Sequence, residues 1–471
     1  MKIKSTILAA LAVPALLAAS CCHDDGQLKP NAKPAITYDK ELEAKVQKTL
    51  KGMTLEEKAG QMMQLTTETV LAQDGLDMAK VEEVFRRYKV GSILNTFRDA
   101  QEPALTAEYV RQLQEKSMEI LGTPMIFGMD MIHGASYLRG ATFFPQEINL
   151  AASFNPEFAA KMGEVTAYET RAAMIPWVFS PVMDLTRDAC WPRNWESFGE
   201  DPYLQSVMAR EETIGAQGTD PNHIDAEHVG VSLKHYVAYG APRTGKDRTP
   251  AYLAMNDLRE KYFAPFKECI EAGALTVMVN SASINGIPTH ANPVLLTGWL
   301  KEGLNWDGMV VTDWADINNL YTREHIAVDK KDALRIGINA GIDMVMEPYD
   351  PSACDLICEL VREGKIPMSR VDDAAARVIR LKYRLGLFDN PVWDVTGYDK
   401  FCCDEFREAS YAAALESEVL LKNSGILPLR QGTRILVTGP NADNSRTLNG
   451  GWSYTWQGSG APQYVEQYNT I

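Results

Sequence analysis

The chain has 471 residues, 45% of them hydrophobic, and a net charge of −15, enough material for a large core but no basic balance. Nucleic acid binding needs a basic face, so no nucleic-acid partner is expected, and a soluble protein handling a neutral ligand fits the charge. The length exceeds one ordinary domain and predicts a large unit followed by a second one. No apolar run reaches the 18 residues that would suggest a membrane span.

In chain order, the first element is a targeting segment. Lys2 and Lys4 precede an apolar stretch over 7–19, and small residues lead into Ser20 and Cys21. This predicts a signal peptide over 1–20, lipidation at Cys21 and a tether over 21–38, with export to the periplasm or outer membrane of a bacterium. Ala18 stands where such lipoprotein signals usually carry Leu, and plain secretion is the alternative.

From 61 to 346, short apolar runs alternate with amphipathic stretches. Strands are predicted at 61–65, 91–94, 125–129, 177–180, 231–234, 276–280, 309–313 and 344–346. Helical spacing separates them, as in Leu258, Tyr262, Phe266 and Ile270, which open after Asn256 and close at Gly273. Eight strand–helix units predict a (β/α)8 barrel over 39–390. The runner-up is an open doubly wound sheet, but no glycine-rich phosphate loop follows any strand.

Asp389-Asn390-Pro391 breaks the last helix, and 391–404 reads as a linker. A helix is expected over 405–422, then a strand over 434–440 opening an α/β domain that is incomplete at Ile471. Cys190, Cys269, Cys354, Cys358, Cys402 and Cys403 form no Cys-x-x-Cys pair, so neither a disulfide framework nor a metal site is expected.

Polar groups gather at the predicted strand ends. Asp130 follows the third strand, Arg193 the fourth, Lys234 and His235 end the fifth, and Asp313 ends the seventh, followed by Trp314. In a barrel such positions share one rim. Acids, cations and an imidazole together suit a ligand rich in hydroxyls. A carboxylate on a rigid strand end beside an aromatic suits nucleophilic attack on a sugar, whereas helix capping is its structural alternative.

The runs Gly128-Met129-Asp130-Met131-Ile132-His133-Gly134, Arg187 through Ser197, Lys234-His235 and Thr312-Asp313-Trp314 resemble the successive signatures of glycoside hydrolase family 3. The resemblance extends from about Asp39 to the end of the chain. It implies a barrel followed by an α/β sandwich, and retaining hydrolysis of terminal β-D-glucosyl residues from oligo- or polysaccharides, with no cofactor. By position, Asp313 corresponds to the nucleophile. Asp130, Arg193, Lys234 and His235 correspond to hydroxyl-binding residues and Trp314 to an aromatic wall. The run Gly450 to Gly458 resembles a second-domain loop of exo-acting β-glucan glucohydrolases, which makes Trp456 a candidate platform for the next sugar.

Three departures stand out. Ser281 occupies a position where many members carry Tyr, and Cys190 and Pro192 replace more usual residues near Arg193. The loop over 236–242 lacks the histidine of the N-acetylglucosaminidase branch, which is therefore set aside. The family's acid/base Glu is expected beyond Ile471; Glu200 and Glu347 are the barrel alternatives, without a positional match. The competing functions are a β-xylosidase of the same family, a non-catalytic carbohydrate-binding fragment and a Schiff-base aldolase working through Lys234.

Overall fold

The structure is a computed structural model and describes residues 28–98 and 100–464. The proposed signal peptide and Cys21 lie outside the described residues, as do residues 21–27 of the tether. Residues 28–38 do not form a free tether but lie on the barrel, the Asn31 N–H donating to Gly303 O at 2.8 Å and Ile36 joining the core.

Asp39 caps the first helix, Lys40–Gly52, its Oδ1 accepting from the backbone of Glu41 and Leu42 at 2.8 and 3.0 Å. A capping box at Thr54 and Glu57 starts the next helix, Leu55–Gln61. That helix occupies the beginning of the first predicted strand, so β1 starts two residues later and spans Met63–Thr66.

The parallel strands that follow are β2 (Ser92–Leu94), β3 (Ile126–Met129), β4 (Trp177–Val178), β5 (Gly230–Tyr236) and β6 (Thr276–Val279). After β6, a two-stranded hairpin, β7 (Ser283–Ile284) with β8 (Ile287–Pro288), interrupts the series. The last two barrel strands are β9 (Met309–Val311) and β10 (Val345–Met346). The sheet runs β10-β1-β2-β3-β4-β5-β6-β9, and a parallel bridge between Val311 and Met344 joins its two edges. All eight barrel strands are buried throughout, as strands covered by helices on one side and a filled interior on the other must be. The fold is the expected barrel, not the open sheet.

Two helices depart from expectation. The segment opening at Leu258 is π-helical over Leu258–Phe263 and α-helical over Ala264–Glu271. Pro265 has no N–H to donate back along the helix, and a wider turn just before it accommodates that loss. The helix expected over 405–422 is Asp404–Glu416. It packs on the barrel through buried Phe406 and Ala413 and a 3.0 Å ion pair from Lys161 to Glu405.

The strand expected over 434–440 does not form. Ile435 and Leu436 are 65% and 87% exposed, and among the described residues no strand pairs with this run. An extended segment without a ladder partner leaves its backbone groups to water. Residues beyond it return to the barrel: Trp452, Ser453 and Tyr454 are buried, and the Tyr454 N–H donates to Ser136 O at 2.8 Å.

Candidate active site

Each barrel strand ends where its backbone leaves the ladder, so the next side chains face the rim. A cavity of about 320 Å³ opens there, lined by Asp130, Arg193, Lys234, His235, Asp313, Trp314 and Trp456. All seven residues named from the sequence therefore share one space. Glu68, Tyr137, Arg248, Tyr349 and Trp452 line it as well, none of them named from sequence.

Two cations of this cavity, Lys234 and Arg193, are committed to acids. Lys234 is 1% exposed, and its Nζ donates to Asp130 Oδ1 at 2.5 Å while standing 4.2 Å from the Trp452 ring centroid. Burial raises the Asp130 carboxyl above its ordinary range even with that ammonium beside it. Arg193 makes a two-pronged contact with buried Glu196, Nε to Oε1 at 2.7 Å and Nη2 to Oε2 at 2.6 Å. The Arg187–Ser197 run thus carries its own counter-ion, which the 3₁₀ turn Asn194–Glu196 presents.

Burial, then Arg193 and Lys234, hold His235 well below the usual histidine range, so its ring is neutral. Its Nδ1 lies 2.7 Å from Asp184 Oδ2, and its Nε2 lies 3.4 Å from Arg193 Nη2. Arginine only donates, so Nε2 carries the lone pair and the proton sits on Nδ1, facing Asp184.

Asp313 is 8% exposed at the end of β9. Its Oδ1 accepts from the Trp314 backbone N–H at 2.5 Å, and its own N–H donates to His290 Nε2 at 3.4 Å. Its Oδ2 has no hydrogen-bond partner among the described residues. One oxygen is therefore held and the other is unpaired. The Trp314 ring meets Tyr349 edge-on at 5.7 Å, forming one wall.

Neither barrel alternative for the acid/base reaches this space. Glu200 is exposed and Glu347 is bound by Asn318 Nδ2 at 2.8 and 3.0 Å, and neither lines the cavity. Glu68 does line it, at the mouth, with its carboxylate on the Thr66 hydroxyl. Among the described residues no group of His, Cys, Asp and Glu is arranged to hold a metal ion.

The far wall comes from the Gly-Gly-Trp run. Gly450 has φ +77°, and a Cβ on Gly451 would lie 2.2 Å from the Trp195 ring, so this approach needs glycine. Gln146 Nε2 donates to Asn449 O and Gly451 O at 2.8 and 2.9 Å. Ser453 Oγ lies 3.0 Å from His133 Nε2, while His133 Nδ1 lies 2.9 Å from Phe144 O. A carbonyl only accepts, so Nδ1 is the protonated nitrogen and the Ser453 hydroxyl donates to Nε2. The loop places Trp456, 47% exposed, at the mouth with its ring 6.3 Å from that of Trp452.

Burial pushes His133 down to about 4, so the folded protein leaves it neutral where an unfolded chain would protonate it. Its contribution to stability is therefore complete above pH 6.5 and is lost as pH falls towards 4. Urea unfolding at pH 7 and pH 5 should show wild type losing about 1–2 kcal/mol more than His133→Gln over that interval. Equal losses in the two proteins would contradict a neutral, buried His133.

A parallel barrel whose carboxyl rim gathers paired acids and cations between tryptophan walls is built to hold a polyhydroxylated ligand. Comparison with known proteins makes the assignment specific. Residues 54–381 match the glycosyl hydrolase family 3 N-terminal domain. The chain is 38% identical over 430 residues to the lysosomal beta glucosidase of Dictyostelium discoideum, covering 86% of this chain and 52% of that protein. It is 33% identical to the periplasmic beta-glucosidase of Salmonella typhimurium, covering 90% and 53%. A putative beta-xylosidase of Formosa agariphila is 30% identical, with 89% and 56% covered. The exo-1,3/1,4-beta-glucanase of a Pseudoalteromonas species superposes with a TM-score of 0.83 at 30% identity, covering 94% of this chain and 56% of that one. The Listeria innocua beta-glucosidase in complex with glucose gives 0.76 at 29% identity, covering 90% and 59%. The chain belongs to glycosyl hydrolase family 3. It spans about half the length of the curated relatives it matches.

Proposed function

We propose that the chain acts in a retaining exo-β-glycosidase that removes terminal β-D-glucosyl residues from oligo- or polysaccharides, with Asp313 as nucleophile. The observation that carries this reading is the Asp313 carboxylate itself, one oxygen held by the Trp314 N–H and the other unpartnered among hydroxyl-binding groups. In the first step Oδ2 attacks the anomeric carbon, the C1–O bond breaks, and the leaving oxygen takes a proton from a general acid. In the second, water attacks the glycosyl ester, its proton passes to the conjugate base, and Asp313 leaves as carboxylate, with net retention. Asp130, Lys234, Arg193 and His235 would hold the sugar hydroxyls, exchanging part of their mutual contacts for contacts to the ligand. Trp314 would wall that sugar's pocket and Trp456 would flank the next sugar.

The relatives' names support both glucosidase and xylosidase activity. A xyloside lacks only the hydroxymethyl group, so the two readings differ in whether that group finds partners in the cavity. Aryl β-glucoside and β-xyloside should be compared by kcat/KM. A preference for the xyloside would replace the sugar assignment, and sugar binding without turnover of either would leave a carbohydrate-binding protein. We also propose export, with Cys21 as lipid anchor. The Salmonella relative bears the name periplasmic, and labelling with a lipid precursor should vanish in Cys21→Ser.

A further inference from the structure

Lys234 is paired with Asp130 and Arg193 with Glu196, which leaves Arg248 as the remaining cation of the lining and Asp313 and, on the Thr66 hydroxyl at the mouth, Glu68 as the remaining acids. Asp313 also lies close to a second buried acid. Asp316, 1% exposed, donates its backbone N–H to Asp313 O at 3.3 Å, and its carboxyl is near enough to be raised by the Asp313 charge. Two carboxylates so placed disfavour each other's ionisation unless a cation faces them.

Arg248 is brought there by the loop between β5 and β6. Gly245, at φ +68°, lets this loop press against Asp188 and Cys190, where a Cβ would lie 2.9 and 3.0 Å from their side chains. Arg243 N–H donates to Pro250 O at 3.0 Å, and Ala251 N–H donates to Ser283 O at 2.9 Å. Between these ties Arg248 adopts φ +57°, a left-handed backbone that costs a non-glycine residue free energy and persists where surroundings impose it. Its Nη1 donates to Ser281 Oγ at 2.6 Å, and that hydroxyl donates to Asp316 Oδ1 at 2.8 Å. The other guanidinium near this cluster, Arg323, binds Ser281 O at 2.8 Å and Glu324 at 2.7 Å, lies 3.9 Å from Asp316 Oδ1, and does not line the cavity where Asp313 and Arg248 do. Arg248 Nε lies 3.7 Å from Asp247 Oδ2, and Asp313, Tyr239 and Asp316 also stand near enough to act on its charge.

We propose that Arg248 is a positioning residue for Asp313: it is the cation that keeps this carboxylate charged beside Asp316, and Ser281 fixes its guanidinium in place. The proposal rests on the reading of Asp313 as nucleophile. Burial opposes the charge on Arg248, but Asp313 leads the groups that outweigh it and hold the guanidinium protonated. The attraction between the two charges is mutual. Asp316, by contrast, is pushed up to about 7 by burial and then by Asp313. Ser281 serves this arrangement because its single hydroxyl both accepts from Arg248 and donates to Asp316.

The test uses the whole chain with Arg248→Ala, Arg248→Lys and Ser281→Ala, each checked for unchanged urea unfolding. Without any sugar, carbodiimide-driven coupling of glycinamide to Asp313 is followed against pH by peptide mass mapping. The coupling midpoint should rise by about one pH unit in Arg248→Ala, a tenfold change in the protonation equilibrium. It should return most of the way in Arg248→Lys and rise by less in Ser281→Ala. With a dinitrophenyl β-glucoside, kcat should fall about tenfold in Arg248→Ala while KM changes little. An unchanged coupling midpoint in Arg248→Ala overturns the proposal. If wild type turns over no glycoside, the functional reading fails and the coupling midpoint still decides the role of Arg248.

Discussion

Asp313→Ala should lower turnover of an aryl β-glucoside by roughly three to six orders of magnitude, the scale seen when a covalent nucleophile is removed. The loss follows from geometry. Among the described residues Asp313 Oδ2 has no hydrogen-bond partner, and Oδ1 is held on the Trp314 N–H, so none of them duplicates the proposed attacking atom. Asp316 is bound on its Oδ1 by Ser281 and Asn319 and does not line the cavity, which prevents it from substituting. Truncation leaves a small void facing C1, and azide fits it. The expected product is a glycosyl azide of inverted configuration, because attack comes once and from the vacated side. A variant retaining more than roughly a tenth of wild-type turnover would contradict the assignment.

Lys234→Met should be the most damaging change to both binding and stability. The lysine is fully enclosed, its ammonium on Asp130 and over the Trp452 ring. Removing it leaves a carboxylate that is only 24% exposed without its cation, which typically costs about 3 kcal/mol or more. Asp130, already raised by burial, would then take up a proton at a higher pH and stop accepting sugar hydroxyls as a carboxylate. Urea unfolding should report the stability loss, and glucose titration should report at least a roughly tenfold loss of affinity. The same pairing speaks against a Schiff base, since an ammonium bound to a carboxylate has no lone pair for a carbonyl. Borohydride with sugar should leave Lys234 unmodified by mass, and a reduced adduct there would restore the aldolase reading.

The barrel was legible because each strand is a short apolar run ending in a polar residue, and because eight such runs recur with helices between them. Where a candidate site residue stands at a strand end, as Lys234, His235 and Asp313 do, the position along the chain already implies the rim. Residues delivered by long loops were not legible in this way. Arg248 lies well beyond Tyr236, where β5 ends, and only the folded loop, with its left-handed turn, brings it to Ser281. Glu196 stood inside a recognised run, yet its pairing with Arg193 depends on a 3₁₀ turn that has no strong sequence signal. Trp452 was hidden behind Trp456 for a similar reason: which of two nearby tryptophans turns inward is decided by the Ser453 contact to His133. The run over 434–440 failed in the opposite direction. Its composition is that of a buried strand, but a strand needs a partner, and local sequence does not supply one.

The account turns on Asp313, and trapping tests it most directly. The protein should be incubated with 2,4-dinitrophenyl 2-deoxy-2-fluoro-β-D-glucopyranoside, which carries a leaving group that needs no proton, then digested and mapped by mass. The fluorine slows release of the sugar, so the glycosyl ester should accumulate on the peptide containing Asp313, and Asp313→Ala should show none. Labelling of Asp130, Glu68 or Asp316 in place of Asp313 would contradict the account.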